Sequence, residues 1–70
     1  MFKNSYLGFA DFRNSDLTRC KFDNVDLYMA NFTRSVNIPT EIETNLSDYE
    51  EEDGTISKRY HNMDLVTTNF

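Results

Sequence analysis

The sequence has one cysteine, one proline, one histidine, two glycines and no tryptophan among its 70 residues. Each scarcity removes a means of holding a short chain together or a class of chemistry. Cys20 has no second thiol with which to close an internal disulfide, and Cys20 with His61 are too few ligands for a structural zinc site. Basic side chains are scarce as well, with seven Lys plus Arg against twelve Asp plus Glu and a net charge of −5. That balance argues against direct binding to DNA, RNA or an anionic membrane surface, and it makes a basic macromolecule the expected charged partner. No stretch approaches the roughly 18 apolar residues of a membrane span. Met1 to Lys3 leads straight into patterned sequence, without the basic and apolar regions of a secretory signal, so a cytosolic location is expected. No nucleophile stands with a base, no phosphate loop is present and no carboxylates are paired in a pocket pattern. The chain is therefore read as a non-enzyme with no cofactor and no metal.

A domain this short buries only about 60% of the surface that its unfolded chain exposes. Hydrophobic residues make up 39% of it and aromatics 14%, so a few large side chains must be placed efficiently. They are placed by a repeat. Phe2, Leu7, Phe12, Leu17, Phe22, Leu27 and Phe32 alternate at every fifth position. Two places before each centre from Leu7 onward stands a small residue: Ser5, Ala10, Ser15, Cys20, Val25 and Ala30, with Ser35 continuing the series. Between them lie Asp11, Asp16, Asp26 and Asn31.

A period of five fits neither an α-helix, where it rotates by about 140° per step, nor a flat strand, where an odd step changes face. A chain that turns a corner every five residues sends every centre inward, and four such sides close one coil, which makes a solenoid.

The segments Ala10-Asp11-Phe12-Arg13-Asn14, Ser15-Asp16-Leu17-Thr18-Arg19 and Ala30-Asn31-Phe32-Thr33-Arg34 resemble the pentapeptide repeat. The resemblance runs from residue 2 to residue 36. It implies an all-β fold, a right-handed quadrilateral β-helix, with Phe2 stacked under Phe22, Leu7 under Leu27 and Phe12 under Phe32. Cys20 falls at an inward small position, where an inert buried thiol is expected.

The pattern breaks at Ser35-Val36-Asn37-Ile38-Pro39, where Asn37 occupies a centre. Ile42 restores the phase in the column of Phe22, and Tyr60, Leu65 and Phe70 are again five apart, with Met63-Asp64-Leu65 and Thr68-Asn69-Phe70 matching the motif. The expected organisation is one domain of two to three coils: coils over 1–44, an inserted acidic loop over 45–57 and a resumed coil over 58–70. With no capping helix legible, a terminal coil is expected to stack on its twin, as a homodimer, or on the partner.

Charge divides at the same boundary. Residues 1–38 carry a net +1 and residues 39–70 a net −6. Glu41, Glu43, Asp48, Glu50, Glu51, Glu52 and Asp53 lie within thirteen residues that contain no basic side chain. A calcium loop is excluded, because counting from Asp48 the position that needs Gly is Asp53 and the one that needs Glu is Arg59. Two readings of the run remain, a solvated solubility loop and a partner-binding surface that imitates a nucleic-acid backbone, with Tyr49 offering a ring where a base would stack. Phe9, Tyr28 and Met29 are expected outward as a secondary apolar patch, either a contact site or a place where the loop folds back. His61 is expected at the surface.

Some proteins of the family resembled protect DNA gyrase by imitating DNA, and several very small acidic proteins of phages and mobile elements, the anti-CRISPR proteins among them, block defence complexes in the bacterial host cytosol. Coils stacked at about 4.8 Å make too short a rod for a long bent duplex, so a basic DNA-binding protein or nucleoprotein complex of the defence kind is the favoured target. A plain interaction or assembly module is the alternative, as is a gyrase-directed one.

Overall fold

A computed structural model describes residues 1–68. Through the first half every five-residue step is built alike. The residue two places after each centre has positive φ, between 50° and 63°, at Asn4, Phe9, Asn14, Arg19, Asn24, Met29 and Arg34. Four steps close with an N–H donating to the carbonyl of the centre three residues earlier: Ala10 to Leu7, Cys20 to Leu17, Ala30 to Leu27 and Ser35 to Phe32, at 2.8–3.1 Å. A turn with positive φ at its third residue changes the direction of the chain. The Asp or Asn before the centre braces it, for Oδ1 of Asp11, Asp16, Asp26 and Asn31 accepts the N–H of Arg13, Thr18, Tyr28 and Thr33, each at 3.0 Å. These are Asx turns, and they explain why that position takes a short side chain with an acceptor oxygen.

Repeated corners bring residues twenty apart together. Strand β1 (Phe2–Lys3) pairs parallel with β2 (Phe22–Asp23), Phe2 opposite Phe22. The bridges Tyr6 to Asp26, Asp11 to Asn31 and Asp16 to Val36 keep the same offset, so the chain forms two stacked layers of strand, bridge and turn. Two of the three expected stacks are seen as ring pairs: the Phe2 and Phe22 rings lie 5.2 Å apart, and those of Phe12 and Phe32 lie 4.9 Å apart at 2°. The core centres on Phe22, Val25, Leu27, Phe32 and Ile42. Cys20 is half-buried against it.

At the break, Asn37 turns outward with a φ of 57° and donates its amide to Asp16 Oδ1 at 3.0 Å and Thr18 Oγ1 at 2.9 Å. Ile38 packs against the core in its stead. Pro39 then leads into a single helical turn, α1 (Thr40–Glu43), which buries Ile42.

Beyond α1 the structure corrects the sequence reading. The segment expected as a loop over 45–57 holds β3 (Leu46–Glu50) and the start of β4 (Ile56–Tyr60), an antiparallel hairpin with Leu46 opposite Tyr60 and Glu50 opposite Ile56. Its turn is closed by Glu51 N–H donating to Thr55 O at 2.8 Å, with Gly54 at a φ of 88°. Asp53 Oδ1 accepts both the N–H and the hydroxyl of Thr55, so the Asx device of the coils recurs here.

The segment from residue 58, expected to resume the coil, instead runs backward over the second layer. Arg59 bridges Asn31 and Val66 bridges Val25, both antiparallel. Phe32 N–H donates to Lys58 O, Met29 N–H to Tyr60 O and Thr68 N–H to Phe22 O. Thr68, rather than Ile42, thus occupies the backbone edge of Phe22. Antiparallel pairing replaces the period of five with a period of two. Val66 and Thr68 are therefore buried, while Leu65 is 57% exposed and Met63 is exposed as well. Asn69 and Phe70, where the last expected centre falls, lie outside the described residues.

Candidate protein-contact surface

The acidic run is divided among three elements. Glu41 and Glu43 stand on α1, Asp48, Tyr49 and Glu50 on β3, and Glu51, Glu52 and Asp53 in the hairpin turn. Strand alternation places Asp48 and Glu50 on one face of the hairpin and Tyr49 on the other.

Arg59 fixes the hairpin to the layers beneath it. Its Nε and Nη2 donate to the two carboxylate oxygens of Glu51, at 2.8 and 3.2 Å, and its Nη1 donates to Met29 O at 2.6 Å. The guanidinium also lies 5.5 Å from the centroid of the Tyr49 ring. One side chain therefore joins β3, the turn and the second layer, through the two-pronged geometry that Arg alone offers a carboxylate. Lys58 Nζ pairs with Asp48 Oδ1 across the hairpin. Two of the seven carboxylates in the run are thus neutralised, and Asp53 is engaged in the turn. Glu43, Glu50 and Glu52 are exposed and make no ion pair among the described residues. Tyr49 is 39% exposed with Arg59 over its ring, which leaves it less open to a stacking base than the sequence suggests.

The expected apolar patch is mostly consumed by the hairpin. Met29 is buried beneath it, Tyr28 is half-buried, and Phe9 remains 65% exposed with its ring edge-on to Tyr28 at 6.4 Å. Two adjoining clefts flank the turn. One of about 470 Å³ is lined by Phe9, Met29, Tyr49 and Glu52. The other, of about 280 Å³, brings the Asp11–Arg13 ion pair of the first layer beside Glu51 and Arg59.

Hydrogen bonding shifts the carboxylates of this region toward the charged form. Asp11 is drawn down from 3.8 to about 2, first by the Arg13 side chain and then by the Arg13 N–H. The Arg59 side chain lowers Glu51, and the Thr55 hydroxyl and N–H lower Asp53. Arg59 is raised in turn by Glu51. Glu51 and Asp53 therefore keep their charge at neutral pH.

Reasoning from the sequence overlooked Lys58, Arg59 and Arg13 as parts of the surface. The signal was Asp53-Gly54, a favoured dipeptide in hairpin turns, which sets Lys58 across from Asp48 once read as such.

The family model for pentapeptide repeats matches residues 2–36 in eight copies, ending one residue before Asn37 turns outward. No curated protein and no solved structure matches the chain.

Proposed function

The chain belongs to the pentapeptide-repeat family, and from that premise we propose that it is a non-enzymatic protein-interaction module that presents an acidic hairpin to a basic protein surface. Its two layers are then turns of the right-handed quadrilateral β-helix that such repeats typically form. The observation that carries this reading is Arg59, which pins the acidic hairpin to the second layer through Met29 O and Glu51. A solubility loop has no need of a fixed position, whereas carboxylates held on an anchored hairpin lose little conformational entropy on meeting a partner.

The narrower form of the proposal is imitation of a DNA backbone before the basic cleft of a DNA-binding protein, such as a bacterial defence complex or gyrase. Duplex DNA carries one charge per about 1.7 Å, so Glu43, Glu50 and Glu52 match about 5 Å of duplex, enough for a small cleft only.

Both forms are tested by titrating the protein against basic DNA-binding complexes at two salt concentrations, with and without competing duplex. Attraction through exposed carboxylates is screened over about 8 Å at physiological salt, so affinity is expected to fall steeply as salt rises. Glu43→Lys, Glu50→Lys and Glu52→Lys together are expected to abolish binding in a folded protein, because none braces a turn or pairs with Arg59. Salt-independent binding that survives the triple reversal overturns the acidic-surface reading. Binding that depends on these residues but ignores competing duplex leaves the interaction module and removes the DNA mimic.

A further inference from the structure

The larger cleft beside the hairpin turn, of about 470 Å³, combines aromatic walls with an excess of negative charge. Phe9 and Tyr49 line it, and three carboxylates, Glu51, Glu52 and Asp53, stand there against the one guanidinium of Arg59, a net −2. Phe9 is the lining residue that the fold explains least. It holds a φ of 61° at a corner where Asn4, Asn14 and Asn24 bring a side chain that tolerates such a backbone. Its ring is 65% exposed and meets Tyr28 edge-on at 6.4 Å, so little of its surface is used in packing. A strained corner that carries an exposed aromatic ring into a concave, charged surface points to a contact made outside the chain.

Resting on the acidic-surface reading above, we propose that this cleft receives the side chain of an arginine projecting from the basic partner, with its guanidinium over the Phe9 ring and against the Glu52 carboxylate. Arg59 is the precedent within the chain. Its guanidinium lies 5.5 Å from the centroid of the Tyr49 ring while it forks onto the two carboxylate oxygens of Glu51. The same pair of elements, an aromatic ring and a carboxylate, stands free in the cleft: Phe9 is exposed, and Glu52 is exposed and makes no ion pair among the described residues. The face of an aromatic ring attracts a cation, and a carboxylate accepts two parallel N–H groups from a guanidinium.

Other occupants fit less well. An anion meets a net −2. A neutral apolar group takes water from Glu52 and Asp53 without replacing its hydrogen bonds. A metal ion lacks ligands, since among the described residues no three His, Cys, Asp or Glu are grouped to hold one. An ammonium satisfies the charge but offers neither a planar face nor a fork.

The probe is a capped Gly-Gly-Arg-Gly-Gly peptide, titrated into the full chain at low salt while the Phe9 and Tyr49 ring resonances are followed by NMR. Saturable shifts at both rings are expected, with a Kd of about 1 mM or below. The citrulline peptide, of the same shape without the charge, is expected to bind at least about tenfold more weakly, and the lysine peptide about threefold more weakly. Phe9→Asn relieves the corner and removes the ring, so it is expected to stay folded and to weaken binding about fivefold or more. Should that variant unfold, Phe9→Leu keeps the apolar bulk and is expected to lose affinity in the same way. Glu52→Gln is expected to weaken binding about threefold or more, whereas Asp64→Asn, which removes an equal charge from an exposed residue outside the cleft, is expected to change it by less than about twofold. Absence of saturable shifts overturns the proposal, as does equal binding of the citrulline peptide or indifference to Phe9 and Glu52. If the peptide fails while basic complexes still bind through Glu43, Glu50 and Glu52, the cleft falls and the acidic hairpin stands. Peptide binding through Phe9 and Glu52 with no basic complex bound keeps the cleft and removes the wider reading.

Discussion

Val25 and Val66 exchange backbone hydrogen bonds in both directions, Val25 N–H to Val66 O at 3.1 Å and Val66 N–H to Val25 O at 2.8 Å. Residues 41 apart in sequence are joined as an antiparallel pair within a protein whose other layers pair parallel at an offset of twenty. The chain lays down two layers forward and then retraces the second in reverse, and that reversal is what closes the upper end.

The reversal separates two neighbouring residues. Val66→Asp buries a carboxylate where 3% exposure leaves no room for water, and it is expected to lower stability by at least about 3 kcal/mol. Leu65→Asp, at 57% exposure, is expected to change it by less than about 0.5 kcal/mol. Urea unfolding of both variants checks this. The opposite ranking, with Leu65 the sensitive site, restores a resumed coil of period five.

Much of the fold is legible because its corners are local. A small residue, Asp or Asn, then Phe or Leu is all that each turn needs, and Asp11, Asp16, Asp26 and Asn31 make the same bond within two residues of themselves. The return strand is not legible, since its pairing with residues 22–33 is long-range and its inward residues follow a period of two. Tyr60, Leu65 and Phe70 fall at spacings of five by coincidence, which disguised the change. β3 was hidden for another reason: an outer strand with almost no buried side chain has no apolar alternation to read, and its acids looked like a loop. The carboxylates of the candidate surface were visible, but their neutralisation by Lys58 and Arg59 required knowledge of the hairpin register.

Phe32→Ala is expected to cost about 3–5 kcal/mol, because the ring is 1% exposed and stacked on Phe12. Phe12→Ala, in the first layer, is expected to cost less, since part of its surface already meets water. Equal losses in thermal unfolding of the two variants argue that the first layer is covered in solution.

Arg59→Ala removes three charged hydrogen bonds and is expected to cost about 1–2 kcal/mol. Its signature is local: amide exchange should quicken through β3 and the turn while Phe22, Leu27 and Phe32 stay protected. Arg59→Lys is expected to restore little, because an ammonium cannot hold both oxygens of Glu51 and Met29 O together. Full restoration by lysine reduces Arg59 to a point charge.

Backbone strain offers a gain. Phe9, Arg19, Met29 and Arg34 hold positive φ without the tolerance that Asn brings at Asn4, Asn14 and Asn24. Arg19 is exposed and its side chain makes no ion pair among the described residues, so Arg19→Asn is expected to raise stability by about 0.5–1 kcal/mol in urea unfolding. A loss instead means that the Arg19 side chain contributes to the fold.

The last prediction follows from the lowered carboxylates. Asp11, Asp16, Glu51 and Asp53 all titrate below their ordinary values in the folded chain: Asp11 first through the Arg13 side chain, Asp16 through the Thr18 hydroxyl, Glu51 through the Arg59 side chain and Asp53 through the Thr55 hydroxyl. A group whose folded pKa is depressed contributes stability that is complete above its unfolded value and lost as pH falls through the folded one. The unfolded values lie at 3.8 for Asp and 4.5 for Glu, and Asp11 reaches about 2 when folded, so stability is expected to decline from about pH 4.5 down to about pH 2. Asp11→Asn isolates one contribution. An amide oxygen can still accept the Arg13 N–H, as Asn31 accepts that of Thr33, but it has no proton to take up in this range. The variant is therefore expected to show a shallower decline below pH 4 while keeping its fold at neutral pH. Thermal unfolding across that interval, with wild type and variant side by side, reads the difference, and parallel curves remove Asp11 from the acid response.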